Sequence, residues 1–171
     1  DWKGCQALFQ RAREIAPDDV EVLQSLSWFA SAFGRIDEAL ALARRIVELD
    51  PLHFGCYLWL AILLANSASY DDAESALATA LKLKPAIPRH FATLGRIRLY
   101  QGRFADAIAA FEREPLEWER KTGIALALAR LGPAAASDAA LQEMVANHAH
   151  GAAIKIAEIH AYRNELDAAF E

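Results

Sequence analysis

The chain has 171 residues, of which 54% are hydrophobic, and it carries a net charge of −5. It is long enough to bury a sizeable core, and its acidic balance argues against nucleic-acid binding, which needs a basic surface to replace condensed counterions. The longest apolar run, residues 54–65, is about half as long as a membrane span. Cys5 and Cys56 form no metal-ligand cluster and are typical of a reducing cytosol. We therefore expect a soluble, cytoplasmic protein.

Residues 1–17 read as a single amphipathic helix that ends at a proline. Its small residues, Cys5 and Ala12, and its large ones, Trp2 and Phe9, occupy offsets that recur further along the chain. We predict that this segment is the second helix of a repeated helix pair.

Residues 20–51 and 54–85 are two similar phrases, and each predicts a pair of amphipathic helices with apolar residues at i, i+3, i+4 and i+7. Pro17, Pro51 and Pro85 follow one another at intervals of 34 residues, and each stops a helix because proline cannot continue the hydrogen-bond ladder. A turn at Gly34 joins the helices of the first pair, and a turn at Ser69 joins those of the second. The chain therefore contains an internal repeat.

The third phrase, residues 88–115, has a turn at Gly102 and closes at Pro115, four residues earlier than the spacing requires. Four residues are about one helical turn, so we predict a second helix shortened by one turn and ending at Glu114. With that turn removed, Glu114 need not be buried. We also expect the array to bend at this point.

The remaining residues predict a helix pair over 116–149 with a blurred pattern of small and large residues. A first helix, a turn at Asn164 and the start of a second helix follow over 151–171. The whole chain thus predicts about 10 to 11 helices in one array. Because the sequence starts and stops inside repeats, we expect it to be part of a longer array.

The repeat has small residues at its eighth and twentieth positions, such as Ala61 and Ala73, and large residues such as Tyr57 and Leu77 that are predicted to fill the spaces around them. A 34-residue helix pair of this pattern with a late proline resembles the tetratricopeptide repeat (TPR). The resemblance implies an all-α fold, a right-handed α–α superhelix of antiparallel helix pairs. Over roughly 85–171, the phrase EREP followed by LEW is similar to bacterial TPR proteins, whose arrays often lie C-terminal to signalling or regulatory domains.

TPR arrays bind proteins, so the resemblance implies an interaction scaffold whose first helices line a concave groove. The chaperone-tail clamp of the family is absent, because Gln24, Trp28, Leu58 and Ile62 stand at its positions. The groove is predicted to be apolar in its middle and basic toward the third phrase, which suits a peptide or helix with an apolar anchor and an acidic end. The candidate groove residues are Gln24, Trp28, Leu58, Trp59, Ile62, Arg89, Arg96 and Tyr100.

Nothing in the sequence indicates an enzyme, a cofactor or a metal site. Carboxylate pairs such as Asp18-Asp19 stand at helix starts, where they cap free amides, and a spacing of two residues makes His148 and His150 poor partners for a shared metal. Two alternatives to a peptide-binding scaffold remain: self-association into a homo-oligomer through exposed apolar faces, and regulation of a catalytic domain outside these residues.

Overall fold

The computed structural model describes residues 2–85, 89–131, 134–148 and 153–170, and in these ranges it consists of helices joined by turns. The predicted all-α class is confirmed. The chain divides into two compact units, residues 1–87 and 88–171. The helices of the described residues are α1 Trp2–Ile15, α2 Val20–Ala32, α3 Ile36–Leu49, α4 Phe54–Asn66, α5 Tyr70–Leu83, α6 His90–Tyr100, α7 Phe104–Phe111, α8 Glu117–Leu131, α9 Ala134–His148, α10 Ala153–Tyr162 and α11 Leu166–Phe170.

In the first unit, α2 packs against α3 and α4 packs against α5, and α1 contacts α2. Helix α2 begins at Val20 because the carboxylate of Asp19 accepts the backbone N–H of Val22 at 3.0 Å, as an N-cap residue does. Its core contacts join three helices, since Leu23 of α2 packs with Ile46 of α3 and Cys56 of α4. The pair formed by α2 and α3 therefore shares its core with α4, the first helix of the next pair.

Left-handed residues make the turns between paired helices. Their φ angles are 72° at Gly34, 60° at Ala68, 76° at Gly102 and 64° at Asn164. In the second pair the left-handed residue is Ala68, and Ser69, the residue singled out from the sequence, is the next residue and the N-cap of α5. Glycine adopts this conformation without steric cost, whereas Ala68 does not.

The second unit has Phe111 of α7 at its centre, 1% exposed and packed between two glycines on neighbouring helices. A Cβ atom at Gly95 of α6 would lie 2.6 Å from the Phe111 ring, and one at Gly123 of α8 would lie 2.2 Å from it. Both glycines are therefore required for the close approach of these helices to the ring.

Helix α7 is short, as predicted, with 8 residues against 14 in α3 and α5, but it ends at Phe111 and not at Glu114. The prediction that Glu114 need not be buried is wrong, because this residue is 1% exposed. Its carboxylate accepts the backbone N–H groups of Ala92 at 3.0 Å and of Leu116 at 3.2 Å, which offsets the loss of water. The bend expected near Pro115 stays a prediction.

In the described ranges, no helix combines the length and the apolar character that crossing a membrane requires.

Candidate functional site

Two tryptophans on the first helices of neighbouring pairs meet in the first unit. Trp28 of α2 and Trp59 of α4 have ring centroids 6.2 Å apart and ring planes at 85°, an edge-to-face arrangement favoured by the aromatic quadrupole. Trp28 remains 53% exposed, whereas Trp59 is half-buried. The pair therefore presents a large aromatic surface to the outside of the helix stack.

Hydrogen bonds fix the orientation of Trp59. Its indole Nε1 donates to the Oγ of Ser27 at 2.9 Å, and the Ser27 hydroxyl in turn donates to the carbonyl oxygen of Ala39 at 2.9 Å. Ser27 is fully buried, and its hydroxyl joins α2 to α3. This relay fixes the Trp59 ring that packs nearly at right angles to Trp28.

The other three predicted residues of this unit flank the tryptophans. Gln24 precedes Trp28 by one helical turn and Leu58 precedes Ile62 by one turn, so each pair shares a helix face. All three flanking side chains are half-buried. We call this set the Trp28 surface, and it comprises Gln24, Trp28, Leu58, Trp59 and Ile62.

The arginines predicted at the basic end lie in the second unit, and both are paired with carboxylates. Arg89, the left-handed N-cap residue of α6, forms an ion pair with Glu119 of α8, which is 2% exposed. The Arg89 guanidinium also lies 5.3 Å from the ring centre of Trp118, a cation–π distance. Arg89 thus ties the start of α6 to α8.

Arg96 of α6 makes a two-pronged pair with Glu158 of α10. Its Nη1 lies 2.5 Å from Oε1 and its Nη2 lies 3.2 Å from Oε2. Lys155, one turn earlier on α10, adds a contact from Nζ to the same carboxylate at 3.0 Å. Such a fork is geometrically specific and stronger than a neutral hydrogen bond.

Burial and pairing act in opposite directions on these two groups. Desolvation lowers the pKa of Arg96, but the hydrogen bond and charge of Glu158 outweigh it, so the guanidinium pKa is raised overall. Desolvation likewise raises the pKa of Glu158, and the contacts from Arg96 and Lys155 reverse this, so the carboxyl pKa is lowered. Both side chains are therefore charged at neutral pH.

Sequence reasoning found the two arginines and missed the two acids that hold them. Glu158 lies 62 positions after Arg96, and no local pattern connects residues at that separation. Tyr100, the last predicted residue, is 39% exposed at the end of α6. Tyr100 contributes to the raised pKa of Arg96. Arg96 itself is held in ion pairs with Glu158 and is not a free basic group on the surface.

Metal binding has no candidate among the described residues, where no group of three or more suitable ligand side chains occurs. The predicted weak pair His148 and His150 lies outside the described side chains. The first unit exposes aromatic and aliphatic side chains, and in the second unit the two predicted arginines are paired with carboxylates.

Stacked helix pairs with small residues at their closest approach and a 34-residue period define a helical repeat protein of the α–α solenoid class. Residues 30–97 match the sequence model of the tetratricopeptide repeat family, which covers α3, α4 and α5 completely. This part of the chain is therefore similar to tetratricopeptide repeats.

Known proteins share this fold over nearly the whole chain. A tetratricopeptide repeat protein from Parabacteroides merdae has a TM-score of 0.82 at 15% identity, covering 98% of this chain and 68% of that one. YrrB, described as a TPR protein with an unusual peptide-binding site, has a TM-score of 0.58 at 17% identity, covering 94% of this chain and 86% of its own. Superkiller protein 3 of Saccharomyces cerevisiae is 28% identical over 129 residues, which are 66% of this chain. The chain spans only 9% of the length of that curated relative.

Proposed function

We propose that this chain is a protein-interaction scaffold that binds a peptide or helix of another protein by seating one large apolar side chain against the Trp28 surface. The observation that carries the proposal is Trp28 itself, 53% exposed and in edge-to-face contact with Trp59, whose indole is held by a hydrogen bond to Ser27. Aromatic side chains of this kind dominate the energies of protein interfaces.

Preorganisation supports this assignment. Because Ser27 fixes the Trp59 indole, a ligand that packs on the pair needs to order few side chains, and each ordered side chain costs about 0.5–1.5 kcal/mol on binding. The flanking leucine and isoleucine extend the apolar area along α4. The peptide-binding site described for YrrB, which has the same fold, supports a peptide as the class of ligand.

An acidic end on the ligand would meet arginines that are already paired with carboxylates. An incoming carboxylate would compete with Glu119 for Arg89 and with Glu158 for Arg96. Of the two arginines, Arg89 is the more accessible, with its side chain 53% exposed against 22% for Arg96. We therefore propose that the apolar anchor supplies most of the affinity and that any acidic group acts through Arg89.

We further propose that the array is a non-catalytic part of a larger bacterial regulatory protein of the cytoplasm. The resemblance of residues 85–171 to arrays joined to signalling domains supports this context, as does a curated relative that is far longer than this chain. The repeats would then select a partner for activities carried elsewhere.

Substitution of Trp28 tests the peptide-binding proposal. Peptides selected from a random library on the wild-type protein should bind Trp28→Ala at least about tenfold more weakly, since a buried aromatic anchor contributes about 2 kcal/mol or more. Trp28→Phe should retain most of the affinity, and Leu52→Ala, at a leucine 76% exposed in the turn after α3, should retain all of it. Unchanged affinity in Trp28→Ala by fluorescence anisotropy would contradict the proposal.

A further inference from the structure

The first helices of the two helix pairs in the first unit carry a single charged side chain. Helix α2 reads VEVLQSLSWFASA and helix α4 reads FGCYLWLAILLAN, so Glu21 is the only charged residue in these two helices. The Trp28 surface is formed by side chains of the same two helices. Its electrostatic character is therefore set by one carboxylate.

Glu21 lies on the same face of α2 as Trp28. The two residues are seven positions apart, which is about two helical turns and about 10 Å along the helix axis. Gln24, a member of the Trp28 surface, lies between them, whereas Leu23 and Ser27 lie on the buried side of the helix. A ligand that packs on Trp28 can therefore reach Glu21 along one continuous face.

The Glu21 carboxylate has no partner of its own among the described residues. It is exposed, and it makes no ion pair or side-chain hydrogen bond with them. The two acids that precede α2 are both engaged, since Asp18 binds Arg45 and Asp19 caps the helix by accepting the N–H of Val22. The capping of α2 therefore does not use Glu21, and its charge is available to a ligand.

The start of α4 supplies no cation to balance Glu21. Gly55 stands at the equivalent position, 34 residues later, and has no side chain. A Cβ atom there would meet the His53 ring at 3.2 Å and no other described residue outside its own helix within 4 Å. The Nδ1 atom of His53 accepts the backbone N–H of Cys56 at 3.2 Å, and this hydrogen bond requires the neutral ring because an imidazolium has no acceptor nitrogen.

The charge of the whole first unit has the same sign as Glu21. Residues 1–87 contain twelve Asp and Glu residues and eight Lys and Arg residues, so this unit carries most of the net charge of −5. A negative surface speeds the encounter with basic ligands and disfavours acidic ones. Both the local and the overall charge therefore favour a basic ligand.

We propose that the ligand of the Trp28 surface is a basic peptide, in which one large apolar side chain packs on Trp28 and a lysine or arginine about 10 Å away pairs with Glu21. That separation corresponds to about three residues in an extended peptide and to about seven in a helix. The inference rests on the proposed peptide-binding function and adds to it the charge of the ligand next to its anchor. It concerns the first unit alone, so it holds whether or not an acidic group elsewhere on the ligand acts through Arg89.

Parallel selections test the charge of the ligand. A random dodecapeptide library displayed on phage is selected on the wild type, Glu21→Gln, Glu21→Lys and Asp37→Asn. Asp37 is the matched control, because it is also an exposed carboxylate in the first turn of a helix of this unit, but on the second helix of its pair. The wild type and Asp37→Asn should enrich Lys or Arg at three or seven residues from an apolar anchor. Glu21→Gln should lose that preference, and Glu21→Lys should favour Asp or Glu instead.

The peptide most enriched on the wild type is then synthesised, and its affinity is measured by fluorescence anisotropy. Glu21→Gln should weaken binding about two- to fivefold, as the loss of an exposed ion pair does, and Asp37→Asn should leave the affinity unchanged. Glu21→Lys should weaken binding about tenfold or more, and replacing the basic residue of the peptide by Glu should restore part of that loss. The effect of Glu21→Gln should shrink at about 1 M salt, where the Debye length is about 3 Å.

A wild-type selection without a preference for Lys or Arg would overturn this inference. An affinity that Glu21→Gln leaves unchanged would overturn it too, and a lower melting temperature of that variant would then assign the carboxylate to the helix dipole alone. In both cases Trp28→Ala should still weaken binding if the proposed function is correct. Peptides that bind the wild type and Trp28→Ala equally well would instead contradict the proposed function itself, so the two failures are distinguishable.

Discussion

The carboxylate of Glu114, just beyond the end of α7, accepts the backbone N–H of Ala92 in the first turn of α6 at 3.0 Å. Helix α6 has no capping side chain of its own, because its N-cap residue is Arg89 in a left-handed conformation. Glu114 supplies the missing acceptor and places a negative charge at the positive end of the helix dipole. The early closure at Pro115 therefore has a structural role, since it brings this acid to the start of α6.

Removing the Glu114 carboxylate should destabilise the second unit. We expect Glu114→Ala to lower the free energy of unfolding by about 2–3 kcal/mol, because it leaves the buried N–H group of Ala92 and the partly buried N–H group of Leu116 without their acceptor. Glu112→Ala, at an exposed residue of the same turn, is the matched control and should change stability by less than about 0.5 kcal/mol. Urea unfolding measures both, and equal effects would contradict the capping role.

Gly123→Ala should also destabilise this unit, by about 1–3 kcal/mol, because the new methyl group would lie 2.2 Å from the Phe111 ring. At a helix position without such a contact, Gly→Ala stabilises by up to about 1 kcal/mol. A loss of stability would therefore indicate the clash between the new methyl group and the Phe111 ring. Phe111→Leu should be destabilising alone but should cost less in the Gly123→Ala background. A double-mutant cycle by thermal unfolding measures that coupling, and strict additivity would count against the packing described.

Reciprocal substitutions at two left-handed turn residues should have opposite effects on stability. Gly34→Ala should destabilise by about 1 kcal/mol, since a Cβ at this φ of 72° is strained even though nothing lies within 4 Å of it. Ala68→Gly should stabilise by up to about 1 kcal/mol, because it relieves the same strain at a φ of 60°. Denaturant midpoints of the two variants should move in opposite directions. Shifts of the same sign would refute the account of the turns.

The pair between Arg96 and Glu158 should make stability depend on pH. The folded-state pKa of Glu158 is lowered, so its contribution is complete above the unfolded pKa of about 4.3 and is lost as pH falls through the folded value. Glu158→Gln should lower the free energy of unfolding at pH 7 by roughly 1–2 kcal/mol, between the values for exposed and buried pairs.

The difference in stability between the wild type and Glu158→Gln should shrink at acid pH. Urea unfolding of both proteins at pH 7 and at a pH well below about 4 measures this difference. Glu143→Gln, which removes an exposed partner of Lys121, is the control and should show a smaller difference at both values. If the difference in stability between the wild type and Glu158→Gln is the same at both pH values, the charge of Glu158 is not the stabilising feature.

The all-α class could be predicted from the sequence because helix formation and termination depend on neighbouring residues. Pro51 and Gly34 act within one turn of their own helices, and the period of 34 repeats that local signal. The shortened α7 followed from Pro115 for the same reason, although the helix ends three residues before the predicted Glu114. The resemblance to the TPR is what singled out Trp28 as a groove residue, and this side chain is 53% exposed.

Only the tertiary structure decided what the polar side chains do. Glu114 is buried because Ala92, 22 residues earlier, presents a free amide to it, and Arg96 is neutralised by a glutamate 62 residues away. Whether a charged side chain is free depends on the helices packed against it, and the helical period carries no information about that. The sequence alone thus determined the repeat and the faces of its helices. Packing between helices distant in sequence decided which charged side chains are paired and which are buried, because pairing requires contact in space.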